Sequence, residues 1–507
     1  MSKSAITRSL KGCLTCKNRK KKCDEVRPIC KRCIDGDFEC LGYNHLVKPR
    51  APRQRKKKLP AASKPCQASE LSNSSTDSTS LPASLAIQGY NHHHIAEFQE
   101  LPTLPSLKSS HIFQAPHIRA LDPDHIVQMF IFYSQPTPTS VQPFRPFPFS
   151  IIKAITENVK NSSLILKSTY VGAKIKKAIL DGAELSVGVR LIDEFQRQIT
   201  NTTLAPEMSA EEVAPLLNCL FSLVFGLLQI ANTPVAHLVL RKSVPFFLAL
   251  AAKYPDIWAD DLSISIRHAF TGLRFEFSHF AFLDTMTALV FGTIPLIHYD
   301  ITLSPTLQSP MQFYMEWAHG CSPIVIVLLA RVNSWRAARL IDPTHPVPTL
   351  EQQQEFHACL KEWNPTIEYG DQPALVMGRL AVQECWKHAV LIYMHMGMCE
   401  ADSANPRVEA SVRQVAQLSA TIETDHPLEV HMTIPCIIAA IAARKEKHRA
   451  ILRKKVVVSR DDRVCLVRGA DFVPVLDHLW HGAAAGGCPT TWQDYVNSRF
   501  EVLPVGI

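Results

Sequence analysis

Six of the chain's fifteen cysteines fall between Cys13 and Cys40, at Cys13, Cys16, Cys23, Cys30, Cys33 and Cys40, in the order C-x2-C-x6-C-x6-C-x2-C-x6-C. The unit C-x2-C-x6-C at 13/16/23 returns 17 residues later at 30/33/40, so the segment reads as two half-sites related by a pseudo-twofold repeat. Residues 11–43 are too few and too poor in apolar side chains to bury a core of their own, so sulfur chemistry must hold them together. A C-x2-C pair sets two sulfurs on one turn, and the third cysteine closes over them. Zinc favours this donor set, taking four thiolates tetrahedrally at about 2.3 Å. One zinc leaves two cysteines idle. Two zincs need more ligand positions than six thiolates supply, unless two thiolates bridge, and the spacing therefore predicts a binuclear cluster whose net negative charge is offset by nearby Lys and Arg. Three disulfides satisfy the same spacing. The opening MSKSAITRSLKGC has no apolar stretch ahead of a cleavage site, however, which predicts no secretory leader and a reducing compartment for the thiols.

Charge is as uneven as cysteine. Residues 1–60 carry 18 Lys and Arg against 5 Asp and Glu, in a chain whose whole balance is +8, so the rest is mildly acidic. The two halves of the repeat also differ. After Cys16 comes Lys17-Asn18-Arg19-Lys20-Lys21-Lys22, and after Cys33 comes Ile34-Asp35-Gly36-Asp37-Phe38-Glu39. Only the first half suits a polyanion such as double-stranded DNA, and Lys17, Lys21, Lys22 and Lys31 are assigned to phosphates, which position a protein on the duplex. A second basic run, Lys48 to Lys58, ends in Arg55, Lys56, Lys57 and Lys58. It reads as a nuclear-import signal, as further phosphate contacts, or as a plain charged linker.

The segment Gly12–Leu41, with CLTCKNRKKKCDEVRPICKRCIDGDFEC, resembles the fungal zinc binuclear cluster (Zn2Cys6) DNA-binding domain of transcription factors. The likeness covers the cysteines, the basic run and Pro28, two residues before Cys30. It implies two zinc ions as cofactors, with Cys13 and Cys30 bridging them and Pro28 in the turn between the halves. It further implies a nuclear, sequence-specific regulator of RNA polymerase II genes that places a helix in the major groove. The basic residues midway between the second and third cysteines, here Arg19 and Lys20, would read a CGG-type triplet, since Lys and Arg donate to guanine O6 and N7. Many members of the family dimerise through a coiled coil after the linker. Residues 61–118 contain Pro82, Pro102 and Pro105 and no sustained heptad, so dimerisation is left open.

Residues 44–118 read as a linker, first basic and then rich in Ser and Pro, of a composition that cannot repay the entropy of ordering. From Asp122-Pro123, a helix start with Pro at its first position, helical periodicity dominates, as in DDLSISIRHAFTGLRFEFSHF and LAVQECWKHAVLIYMHMGM, with Pro-containing connections such as IDPTHPVPTLEQQQ and PFRPFPF, and residues 119–507 are expected to form one large all-α array. Ser209 and Glu212 form a capping-box pattern before an uncharged run, Val213–Ile230, interrupted by Pro215, Asn218, Ser222 and Gln229. That run reads as a buried core helix, with no second segment long enough to cross a membrane and no membrane partner. QECWKHAVLIYMHMGMCEADSANPRV (383–408) and IPCIIAAIAARKEKHRAILRKK (434–455) resemble, more loosely, the fungal-specific transcription factor domain. That likeness implies a regulatory role, with the transcription machinery or a co-regulator and a small-molecule effector as partners. His92-His93-His94 reads as an exposed tract, and Cys385 and Cys399, with the other isolated cysteines, as core thiols. Glu316 with His319 lacks the second histidine of a zinc protease, and HGAAAGG (481–487) has no phosphate-loop context. No catalytic residue is expected. The alternative reading is an enzyme, or another helical protein, that the zinc cluster only tethers to chromatin.

Overall fold

A computed structural model describes residues 16–17, 21–26, 30–36, 122–123, 126–127, 144–145, 149–181, 186–272, 274–302, 314–365, 373–459, 464 and 466–505. Residues 44–118, with His92–His94 and Arg55, Lys56, Lys57 and Lys58, lie outside them. The chain divides into two units, Met1–Ser74 and Ser75–Ile507.

The second unit is helical. The apolar helix Ala210–Ile230 starts where the capping pattern predicts, with the Glu212 carboxylate accepting the Ser209 N–H at 2.8 Å. It packs on Ser163–Leu180, Ser186–Thr200 and Thr233–Lys242. Phe275–Phe291 is buried on every side, as expected of a helix apolar all round. It ends at Gly292, whose φ of +65° and closeness to Val496 leave no room for a Cβ. Pro373–Tyr393 packs against Pro406–Thr421 and Thr433–Ile441, and runs on as a π-helical turn, Met394–Met398.

Several expectations need correction. A second stretch, Thr233–Ala251, is also long and apolar enough to cross a membrane by length and composition, although it is two abutting helices, Thr233–Lys242 and Val244–Ala251. Both candidate spans are core helices, contributing Leu217, Leu220, Leu240 and Phe247 to the apolar interior. The periodic run DDLSISIRHAFTGLRFEFSHF is not one helix: Ile266–Thr271 stops at Gly272, and Ile264–Ser265 pairs in parallel with Tyr299–Asp300 as a minimal two-stranded sheet. LEQQQ, read as a connection, opens the helix Leu350–Glu362, because Thr349 and Gln352 form a reciprocal cap. Within the proline-rich PFRPFPF, Phe144 is buried, and its carbonyl accepts from Arg379 Nε at 3.0 Å. Cys385, Cys219, Cys321 and Cys436 are core thiols, but Cys359, Cys399 and Cys488 are only partly buried.

Two buried carboxylates of the helical unit are held by specific partners. Lys455 Nζ lies 2.6 Å from Glu429 Oε1 and donates to the Ile422 carbonyl at 2.6 Å, with both side chains buried. Asp284 accepts from the N–H groups of Leu296 (2.8 Å) and Ile297 (3.3 Å) and from the Tyr299 hydroxyl (3.0 Å), and burial pushes its carboxyl up to about 7.

Candidate metal centre

The first unit has no apolar core among its described residues; its buried side chains there are cysteines, with Cys16, Cys23, Cys30 and Cys33 at 0–4% exposure. Two short pieces of helix place them. Cys16 and Lys17 lie in a helical turn closed by the Lys21 N–H donating to the Cys16 carbonyl at 2.9 Å. Cys30 immediately precedes the helix Lys31–Asp35, which carries Cys33 one turn on.

The sulfurs of Cys16, Cys23 and Cys30 lie within 4.8 Å of one another. Cys16 Sγ is 3.7 Å from Cys30 Sγ and 3.9 Å from Cys33 Sγ. A disulfide requires about 2.05 Å, so neither pair is bonded. Tetrahedral zinc with bonds of about 2.3 Å sets its sulfurs about 3.8 Å apart, and the observed separations fit that edge. Two of the sulfurs accept backbone N–H groups: Cys23 from Glu25 at 3.4 Å and Cys30 from Cys33 at 3.3 Å. Such donors favour the ionised thiolate that a metal needs.

Of the residues expected at the site, Lys17, Lys21, Lys22 and Lys31 are all exposed, as phosphate contacts require. Cys13, Cys40, Arg19, Lys20 and Pro28 lie outside the described residues. Two residues without a role in the sequence reading emerge. The Asp24 carboxylate accepts the N–H groups of Val26 (3.1 Å), Lys31 (3.0 Å) and Arg32 (2.8 Å), and these bonds, that of Arg32 first, hold its carboxyl below the usual range. Arg32 Nη1 donates to the Lys22 carbonyl at 3.1 Å, which ties its side chain to the first half of the repeat. The available signal was an acid directly after the third cysteine, in the most basic stretch of the chain.

In the helical unit, Glu316 pairs with Arg145 at 3.9 Å, while His319 stacks on Phe282 with ring centroids 5.1 Å apart. Burial, with His431 and His279 nearby, holds His319 well below its ordinary range, and among the described residues the pair is not part of a cluster of three or more metal-ligating groups. A surface groove of about 670 Å³ is lined by residues including Arg449, Arg453, Asp477, Trp480 and Gly486 of the glycine-rich loop. Its cations are engaged: Arg453 grips Asp477 in a bidentate pair at 3.0 and 2.8 Å, and Arg449 donates to Glu446 and to the carbonyls of Ala443 and Ala484.

Comparison with known proteins bears on both units. The fungal specific transcription factor domain matches residues 240–501, just over half of the chain, and the fungal Zn(2)-Cys(6) binuclear cluster domain matches residues 11–50. That cluster domain binds two zinc ions, and the sulfurs of Cys16, Cys23 and Cys30 converge at a spacing that could hold a metal ion. The chain is 38% identical over 63 residues to an uncharacterized transcriptional regulatory protein of Schizosaccharomyces pombe, covering 12% of each chain. It is 59% identical over 34 residues to transcription factor lfc1 of Flammulina velutipes, covering 7% of this chain and 12% of that one. With the aspercryptin biosynthesis cluster-specific transcription regulator atnN of Emericella nidulans it shares 44% identity over 54 residues, 10% of this chain and 9% of the relative. The matched segments thus span about an eighth or less of these relatives. No solved structure matches the chain.

Proposed function

The chain belongs to the fungal specific transcription factor domain family, and from that premise we propose that it is a nuclear, sequence-specific DNA-binding regulator of RNA polymerase II genes, not an enzyme. The reading is carried by one observation: the sulfurs of Cys16, Cys23 and Cys30 converge at zinc-ligand spacing in a unit whose described lysines are exposed. In this proposal Cys13, Cys16, Cys23, Cys30, Cys33 and Cys40 hold two zinc ions, with Cys13 and Cys30 bridging. Bound zinc supplies folding energy and fixed geometry, not reactivity. Arg19 and Lys20 read guanines of a CGG-type triplet, and Lys17, Lys21, Lys22 and Lys31 hold phosphates. The proposal assigns 11–43 to the DNA-binding domain, 44–118 to the linker and 119–507 to the regulatory domain, whose partners are a co-regulator or the transcription machinery and a small-molecule effector.

Genome-wide occupancy combined with expression after deletion tests the reading. Occupied promoters should carry CGG triplets, and their genes should change expression. Chromatin occupancy without any transcriptional change would favour the tethered enzyme instead. Arg55, Lys56, Lys57 and Lys58 are assigned to nuclear import. Changing Lys56, Lys57 and Lys58 to Ala in a fluorescent fusion should lower nuclear accumulation, and a fully nuclear variant would remove that assignment.

A further inference from the structure

The helix Lys31–Asp35 has five residues and no apolar core beneath it, so it cannot persist on its own. The first N–H groups of any helix also lack intrahelical acceptors. Here those of Lys31 and Arg32 are met by Asp24, which belongs to the other half of the repeat, directly after Cys23. The same carboxylate accepts the Val26 N–H, fixing the turn in which Glu25 adopts a φ of +61°. Arg32 returns the contact by donating to the Lys22 carbonyl. A carboxylate beside thiolates is electrostatically unfavourable, so its place there must be offset by the bonds it accepts.

We propose that Asp24 is a positioning residue that latches the two metal half-sites together, so that the helix bearing Cys33 is set by the half bearing Cys16 and Cys23 and the cluster loads as one unit. The inference rests on the binuclear reading above. Asp24 ligates no metal in this account; it orients the backbone that presents Cys30 and Cys33, and loss of such outer partners typically costs about 10–100-fold in metal affinity.

The full chain loaded with zinc is titrated with a chromogenic chelator, and a cadmium-113-loaded sample is followed by NMR. Wild type should release two zincs in a single step. Asp24→Ala should release one at about tenfold lower chelator concentration and shift one of the two cadmium resonances. Asp24→Asn, which keeps one acceptor oxygen, should fall between them. Asp35→Ala removes an equal charge from the helix that Asp24 caps and should behave as wild type. A wild-type stoichiometry other than two overturns the binuclear reading itself. Two zincs in the wild type with an Asp24→Ala profile like it, or like effects of Asp24→Ala and Asp35→Ala, overturns the latch alone. Should Asp24→Ala hold no zinc, Asp24→Asn decides: release in two steps upholds the latch and a single wild-type step removes it.

Discussion

Among the described residues of the N-terminal unit only cysteines are buried, whereas the helical unit buries apolar side chains from each of its long helices. In the first, every buried side chain among the described residues is a potential ligand, so order and metal content are one quantity. In the second, order is spread over many side chains, and removing one costs a few kcal/mol without dissolving the fold. The contrast teaches that the two units should fail under different insults, and that a perturbation of one should leave the other standing.

Chelation is the sharpest way to break that contrast. Stripping zinc from the full chain should abolish hydrogen-exchange protection in peptides covering 16–36 while leaving that of Phe275–Phe291 and Pro373–Tyr393 unchanged, since structural zinc contributes about 10–16 kcal/mol to folding in comparable small domains. Loss of protection in those helices would show that the units do not stand independently.

The next effect belongs to the helical unit. Glu429→Ala leaves Lys455 buried beside a missing partner and should destabilise the unit by about 3–5 kcal/mol in urea unfolding followed by tryptophan fluorescence. Replacing both, Glu429→Leu with Lys455→Met, should recover most of that loss. Zinc content should stay at two throughout.

Acid sharpens the comparison further. Burial first, then Arg241 and Arg499, holds His237 down at about 4. Its folded value lies below the ordinary 6.5, so its contribution is complete above pH 6.5 and is lost as pH falls from there towards 4. Between pH 7.5 and 5 the urea midpoint of the wild type should drop, and His237→Gln should flatten that slope by an amount on the order of 2 kcal/mol. An unchanged slope would mean that His237 takes up its proton in the fold over the same pH range as in the unfolded chain.

Smallest are the single contacts to DNA. Lys20→Ala should cost about 1–3 kcal/mol and relax discrimination at the guanines. Lys22→Ala should weaken binding to every sequence and make the salt slope shallower by about one, as loss of one phosphate contact requires.

Legibility also differs between the units. Metal ligation leaves a signature in spacing, because C-x2-C is a geometric demand that composition cannot imitate, and so the convergence of Cys16, Cys23 and Cys30 was readable from one dimension. Asp24 was not, since its role depends on the chain turning back to bring residues 31 and 32 to it. In the helical unit, periodicity located Ala210–Ile230 and Pro373–Tyr393. It missed the break at Gly272, where the run stays apolar across a change of direction and tertiary pairing of Ile264 with Tyr299 decides the outcome. Thr233–Ala251 passed unnoticed as a second long apolar stretch because Arg241 and Lys242 interrupt its pattern. The groove beside Trp480 is assembled from separate helices and a loop, and no local motif announces it.

The account stands or falls on whether zinc makes this chain a reader of sequence. Titration of the full chain, by fluorescence anisotropy, against a duplex carrying CGG and a scrambled duplex, with and without chelator and at several salt concentrations, measures that directly. The expected result is tighter binding to the CGG duplex only while zinc is bound, with the preference persisting as salt rises. Equal affinity for both duplexes in the zinc-loaded chain, or a preference that survives chelation, would contradict it.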